Sequence, residues 1–277
     1  MQQSYTQADL SRLSLNQMTT QRWNLREAVE GCLWAGVPNI ALRRERVAEI
    51  GLPEAARVVR RSGLRVSSLH VGGRFPAASE AERRARLDDN RRAVEEAAEL
   101  DAKVLSLLAG AAPECDIDTT RAMVEEGIEQ IIPDAEESGV KLAVEPLHPV
   151  FAAERSAVVT LSQANDMLDR LGSSQVGVSI DVYHVWWDPD LYAQIARAAG
   201  RIVGLHINDW PVPNECPLMS RAMMGEGVIE LRRIRSAVDE AGYTGPIEVE
   251  IFNQAIWDMT GNDVLTLMKN RFVEHVL

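Results

Sequence analysis

Cysteine is scarce in this chain: Cys32, Cys115 and Cys216 are its only three, far apart and odd in number. Their spacing forms neither a disulfide framework nor a zinc knuckle, which fits a reducing compartment and gives a cytoplasmic expectation. Long apolar runs are missing as well. No stretch reaches the roughly 18 consecutive apolar residues that a membrane helix needs, so a helical span is excluded. The N-terminal stretch MQQSYTQADLSRLSLNQ has no basic start and no apolar centre, so no secretory leader is expected. Positive charge is in short supply too, with 29 Lys and Arg against 41 Asp and Glu, a formal net charge of −12. Such a balance repels phosphate backbones and anionic lipid, so neither nucleic acid nor membrane is an expected partner. The densest basic stretches, 57–65 (RVVRRSGLR) and 83–92 (RRARLDDNRR), interleave apolar residues and read as solvated faces of amphipathic helices. No low-complexity linker or Pro/Gly-rich hinge divides the chain, and residues 1–277 read as one domain.

What is present is an alternation of short apolar runs and longer helical patterns. The runs predicted as strands are Leu13–Met18, Asn39–Arg43, Arg65–Val71, Val104–Ala109, Lys141–Pro146, Gln175–Asp181, Ile202–Asn208 and Ile247–Phe252. Helical periodicity covers Leu25–Ala35, Ser79–Leu100, Thr119–Ser138, Leu161–Leu171, Ile229–Ala241 and Asp263–Val276. Thr160 is placed to cap one helix, while Gly139, Gly172 and Gly242 follow helix ends where a left-handed residue is wanted. Eight strands in 277 residues give about 35 residues per unit, the period of a (β/α)8 barrel, and the nearly continuous apolar strands suit a buried parallel sheet. The rival, a doubly wound open sheet, usually carries a Gly-rich phosphate loop after its first strand. Here that position reads Asn16-Gln17-Met18-Thr19-Thr20, so a single α/β TIM barrel is predicted.

In such a barrel chemistry gathers at the C-terminal ends of the strands. Four consecutive strands end in ionisable residues. The fifth ends at Glu145, the sixth at Asp181 with His184 just beyond, the seventh carries His206, and the eighth carries Glu248 and Glu250. Ionisable groups inside apolar strands are costly unless paired or bound to a cation. Glu145, Asp181, His206 and Glu250 make an oxygen-rich set with one nitrogen, suited to one divalent ion such as Mn²⁺, with Co²⁺, Mg²⁺ or Zn²⁺ as alternatives. Glu248 and Glu250 share a side of their strand; Glu250, nearer the rim, is the expected ligand, and Glu248 is expected deeper as an interior partner.

These residues resemble the xylose isomerase-like TIM-barrel sugar phosphate isomerase and epimerase family, which includes ketose 3-epimerases, hydroxypyruvate isomerases and inosose dehydratases. The resemblance is carried by Val144-Glu145-Pro146 with His148-Pro149, Asp181-Val182-Tyr183-His184, Leu205-His206-Ile207, Gly225-Glu226-Gly227, and Gly242-Tyr243-Thr244-Gly245 leading to Val249-Glu250. It implies a metal held by Glu145, Asp181, His206 and Glu250, with His184 and Arg221 contacting substrate. The chain departs from the family at Glu250-Ile251-Phe252, where the family has Glu-Pro-Phe, and in its Trp186-Trp187 pair.

The chemistry of that set is coherent in itself. A proton beside a carbonyl is removable at neutral pH only if the developing enolate is stabilised, which a divalent Lewis acid does. Glu145 and Glu250, on strands five and eight, are the candidate base and acid: one removes the proton and the other returns it. His70, at the end of strand three, is weighed both as a substrate contact and as a satisfied barrel-mouth histidine. Trp186, Trp187, Trp210 and Trp257 follow strands six to eight, and Trp186 is the candidate for stacking on a sugar or aryl ring. The expected activity is a metal-dependent isomerase or epimerase acting on a small sugar or keto-sugar. The rivals are a lyase or dehydratase using the same base for elimination, which a bulky aglycone against the tryptophans would favour, an endonuclease IV-like nuclease, and a binding protein without catalysis. Five histidines and the acidic balance disfavour the nuclease, and the presence of both glutamates disfavours the binder. A homo-oligomer is compatible with the sequence, which specifies no subunit surface.

Overall fold

The computed structural model describes residues 9–277, so the first eight residues of the N-terminal stretch read above lie outside the described residues. The predicted strands are all present: β1 (Leu13–Asn16), β2 (Asn39–Arg43), β3 (Arg65–Gly73), β4 (Val104–Leu108), β5 (Lys141–Glu145), β6 (Val176–Asp181), β7 (Ile202–Ile207) and β8 (Ile247–Val249). They pair in parallel and in chain order, and β1 closes on β8 through Leu13 beside Ile247 and Ser14 beside Glu248. The result is a closed (β/α)8 barrel, as the sequence period implies.

The helices around it are α1 (Leu25–Ala35), α2 (Arg44–Ile50), α3 (Leu52–Ser62), α4 (Glu80–Glu99), α5 (Ile117–Ser138), α6 (Leu161–Leu171), α7 (Val182–Val185), α8 (Leu191–Arg197), α9 (Leu231–Glu240), α10 (Gln254–Trp257) and α11 (Gly261–His275). Their ends follow from local chemistry. Asn24 and Glu27 form a reciprocal capping box on α1, and the Thr160 side chain accepts the Gln163 N–H at the start of α6. Gly139 and Gly172 end α5 and α6 in the left-handed region, where a side chain would be strained. The two basic stretches are helix faces, with Arg57 paired to Glu54, Arg60 to Glu99 and Arg92 to Asp89. No helix of the described residues is long and apolar enough to cross a membrane.

Strand parity divides the barrel into two environments. Leu13, Leu15, Ile40, Leu42, Leu69, Leu105, Leu107, Leu142 and Val144 are fully buried in one continuous apolar core with the helices. The opposite parity is small and polar, with Ser14, Ser68, Ser106 and Ser179 all buried. Ser14 and Ser67 hydrogen-bond at 2.9 Å, and Ser68 donates to Glu248 at 2.6 Å. Small interior side chains leave room for charged ones at the C-terminal rim.

Candidate metal centre and active site

Register brings the four predicted ligands together. Leu108 lies beside Glu145 across β4 and β5, Asp181 beside His206 across β6 and β7, and His206 beside Glu248 across β7 and β8. Glu250 follows two residues further along, on the same side as Glu248. Each of Glu145, Asp181, His206 and Glu250 is buried and offers one ligand atom, and those four atoms lie within 4.8 Å of one another.

Asp181 is fully buried and saturated. Its Oδ1 accepts from Tyr183 N at 2.9 Å and Asn208 Nδ2 at 3.0 Å, while its Oδ2 meets Arg221 Nη1 at 2.6 Å. Burial alone would raise its pKa, but Arg221, His184 and His206 outweigh it and hold the carboxyl down at about 2. The same Arg221 nitrogen reaches Glu250 Oε2 at 2.9 Å. The guanidinium lies between the rings of Tyr183 and Phe252, 4.9 and 4.8 Å from their centroids.

His206 uses its two nitrogens differently. Nδ1 faces Glu145 Oε1 at 3.1 Å; Nε2 faces Ser179 Oγ at 3.2 Å and Glu248 Oε2 at 3.5 Å. Burial opposes its protonation, but Glu248 and Glu145 overcome that and raise the imidazole to about 10. Glu248 is the interior partner expected of it. It accepts from Ser68, meets His70 Nε2 at 3.1 Å, and accepts from Asn16 Nδ2 at 3.3 Å. It remains ionised down to about 2, because the His206 charge and the His70 hydrogen bond overcome the effect of burial. His70 reaches Glu248 with Nε2 and lies 3.8 Å from Glu250 Oε1 with Nδ1, so it bridges the deeper and the outer carboxylates.

A divalent cation fits this set. Glu145, Asp181, Glu248 and Glu250 are four buried carboxylates that, among the described residues, share the buried Arg221 and, with no ion bound, a protonated His206. That shortage of positive charge is costly in a low-dielectric interior, and a divalent ion relieves it by taking the place of the single proton on His206. The donor set, three carboxylates and an imidazole nitrogen whose other nitrogen is backed by Glu248 and Ser179, is that of a divalent-ion site rather than a closed thiolate one.

Above these groups lies a cavity of about 80 Å³. Glu145, Glu250, His70, His184 and Arg221 line it, and Phe151 and Phe252 are part of its wall. Burial drives the His184 imidazole down to about 3, so it is neutral at pH 7. Its Nε2 lies 3.1 Å from Arg221 Nη2, a donor, which makes Nε2 the acceptor and puts the proton on Nδ1. That buried Nδ1 has no protein partner among the described residues.

Trp186 differs from expectation. It packs against Trp210 at 5.7 Å and does not line the cavity; the aromatic wall there is Phe151 and Phe252. The short helix α7 explains this, because residues two apart on a helix point to nearly opposite sides, so His184 faces the cavity while Trp186 turns back toward Trp210. His148 likewise stacks on Trp210 at 4.8 Å, and its Nδ1 accepts from Val150 N at the start of the short turn Pro149–Phe151. The arginines at the cavity rim, Arg43, Arg74 and Arg155, carried no sequence signal beyond their type, since loop packing rather than periodicity brings them there.

A closed eightfold barrel with an acidic and histidine cluster at the C-terminal rim defines a class, and comparison with known proteins places the chain within it. Residues 27–268 match the family described as Xylose isomerase-like TIM barrel, and the chain belongs to that family. Among curated relatives, it is 26% identical over 145 residues to an inosose isomerase of Halalkalibacterium halodurans, a match spanning 50% of this chain and 49% of that protein. It is 26% identical over 207 residues to the L-ribulose-5-phosphate 3-epimerase UlaE of Salmonella paratyphi A, covering 71% of this chain and 68% of the relative. Thus the match spans about half of the inosose isomerase and about two thirds of the epimerase. Among solved structures, the protein SMc04130 of Sinorhizobium meliloti superposes with a TM-score of 0.94 at 46% identity, covering 96% of this chain and 99% of that one. The IolI protein with a bound zinc atom shares the fold with a TM-score of 0.85 at 21% identity, over 96% of this chain and 98% of its own.

Proposed function

We propose that the protein is a divalent-metal-dependent sugar isomerase or epimerase that moves a proton on the carbon next to a carbonyl. The observation that carries this reading is the placement of two buried carboxylates, Glu145 and Glu250, from β5 and from the rim just beyond β8, on one small cavity whose floor has the donor set of a divalent-ion site. Glu145, Asp181, His206 and Glu250 would hold the ion, with Mn²⁺ the best match to three carboxylates and one nitrogen. When bound, such an ion supplies Lewis-acid stabilisation of the negative charge that develops beside the departing proton.

The side chains supply the rest. Glu145 and Glu250 are the pair through which a proton is removed from the substrate carbon and returned to it or to its neighbour. Return to the opposite face of the same carbon inverts it, and return to the adjacent carbon interconverts aldose and ketose. His184 lines the cavity as a neutral imidazole, and Arg221 fixes it by donating to its Nε2 while holding Glu250. Phe151, Phe252 and Leu147, with Val71, Leu108 and Leu218, belong to the apolar part of the wall, which keeps water from the reacting carbon. No tryptophan lines this cavity, so the feature that favoured elimination of a bulky aglycone is absent from it.

Solvent deuterium uptake tests the proposal. Incubation in D2O with ketoses, keto-acids and 3-keto-glycosides, in Mn²⁺ or in EDTA, should give metal-dependent deuterium in the recovered substrate or an isomer. Glu145→Gln and Glu250→Gln should each slow it by about 10²–10⁴-fold while the protein stays folded. Undiminished exchange in EDTA, or full exchange in either variant, would overturn the mechanism.

A further inference from the structure

We propose that Arg74 and Arg155, with Arg43 beside them, form a subsite for an anionic end group of the substrate, a phosphate monoester or a carboxylate. The inference rests on the reading of the cavity as a sugar site and deepens it by specifying the charge of the substrate. The small inner cavity opens into an outer groove of about 790 Å³, and Arg43, Arg74 and Arg155 line both. The inner space holds only the reacting end of a sugar, so the remainder of the molecule must pass these three guanidinium groups.

Their pairing sets them apart from the other arginines nearby. Arg43 is held by Glu45 at 2.8 Å, Arg44 is engaged by Asp89 and Glu96, and Arg86 donates to the carbonyl oxygens of Arg74 and Pro76. Arg74 and Arg155 have no carboxylate partner among the described residues; Arg155 is half-buried over the Phe151 ring, 5.9 Å from its centroid. Burial and the nearby charges of Arg74 and Arg221 make the Arg155 cation harder to keep than usual, and the charges of Glu250 and Glu145 offset this only in part. Cations crowded at the mouth of a protein whose net charge is −12 are a local reversal of field, and a carboxylate or phosphate relieves it.

The backbone carrying these arginines is built to hold them there. Arg74 has φ +57°, in the left-handed region that a residue with a side chain rarely adopts. Asn90 brackets Gly73 by donating to its carbonyl at 2.8 Å and accepting its N–H at 2.5 Å, and Arg74 N donates to Leu108 O at 2.6 Å. Gly73 has φ +92°, and a Cβ there would lie 2.1 Å from Leu108 O. Gly110 joins the two arginine loops: a Cβ on it would stand 2.7 Å from Arg74 Cα, and its carbonyl accepts from Ala157 N at 2.8 Å, two residues beyond Arg155. A strained residue fixed by its neighbours at the lip of a site points to a positioned side chain. Arginine suits the task because its planar fork matches carboxylate and phosphate oxygens two at a time.

Titration calorimetry in Mn²⁺ buffer with D-fructose, D-fructose 6-phosphate and 5-keto-D-gluconate tests this. At least one anionic probe should bind about tenfold or more tightly than fructose at low salt, and whichever anion leads assigns phosphate or carboxylate. Raising the salt should weaken the anion several-fold and leave fructose unchanged, a result that needs no variant. Arg74→Ala with Arg155→Ala should remove the preference, while Arg74→Lys with Arg155→Lys should retain part of it. Equal binding of all three probes, binding of none, or a preference kept by the double alanine variant would overturn the subsite. Deuterium exchange on the same samples separates the two readings: anion preference without exchange defeats only the enolisation, and exchange on fructose without anion preference defeats only the subsite.

Discussion

Arg221 is the residue on which the charge arrangement of the site turns. One of its nitrogens serves both Asp181 and Glu250, and a second reaches His184, all within an interior where an unpaired charge is expensive. Arg221→Ala leaves two buried carboxylates without their counter-ion. The expected loss in EDTA is about 3–5 kcal/mol by urea unfolding, and saturating Mn²⁺ should recover part of it by supplying the missing positive charge. A loss under about 1 kcal/mol would mean that the pairing contributes little. Cysteine gives a second test at this scale. Cys32 is fully buried in α1, and burial pushes its thiol up to about 12, whereas Cys216 is exposed. Only the thiolate reacts, so iodoacetamide at pH 7–9.5 should modify Cys216 in the folded protein and leave Cys32 untouched until urea is added. The linkage runs with the same sign: the unfolded thiol ionises near pH 8.5 and the folded one does not, so this term favours folding less as the pH rises above that value.

Among the elements, the seam between the first and last helices is the tightest fit. Trp23 lies just before α1 with its ring between Gly31 of α1 and Gly261 at the start of α11. A Cβ on Gly31 would stand 2.3 Å from that ring, and one on Gly261 2.0 Å. Gly31→Ala should therefore cost about 1–3 kcal/mol by overpacking, although alanine is the better helix former. In a Trp23→Ala background the same change should be neutral or stabilising by up to about 1 kcal/mol, so a double-mutant cycle in urea isolates the contact. Element order was readable because eight apolar runs recur at a barrel's spacing, and each ended within a few residues of its strand. Glu145, Asp181, His206 and Glu250 were readable as a group for a related reason: an ionisable residue at the end of an apolar strand has few stable settings other than a shared site. Trp186 was not, because its place after β6 fixes which end of the barrel it occupies but not which way a four-residue helix turns it. Arg74 and Arg155 were equally hidden, since their convergence depends on a left-handed backbone and on contacts made by Gly110, neither of which leaves a periodic signature.

For the whole molecule, the four candidate ligands come from β5, β6, β7 and the rim just beyond β8, the second half of the barrel. An ion bound there ties together elements separated by more than a hundred residues of sequence, and it offsets repulsion that the metal-free fold must otherwise bear. Because the unfolded chain has no such preformed site, binding is linked directly to folding. Mn²⁺ at 100 times its dissociation constant should add about 2.7 kcal/mol, which for a domain of this size raises the thermal midpoint by about 5 °C over the EDTA-treated protein. Asp181→Asn should abolish most of that rise, because it removes a charged donor that the other three cannot replace. Glu248→Gln should reduce it more modestly, to about half, if removing the carboxylate behind His206 Nε2 weakens the ion about tenfold. The contrast between these variants matters more than either value: equal losses would place Glu248 among the ligands, with the deeper trio of His70, His206 and Glu248 as the binding centre, and an unchanged rise in Asp181→Asn would move the ion away from the outer four.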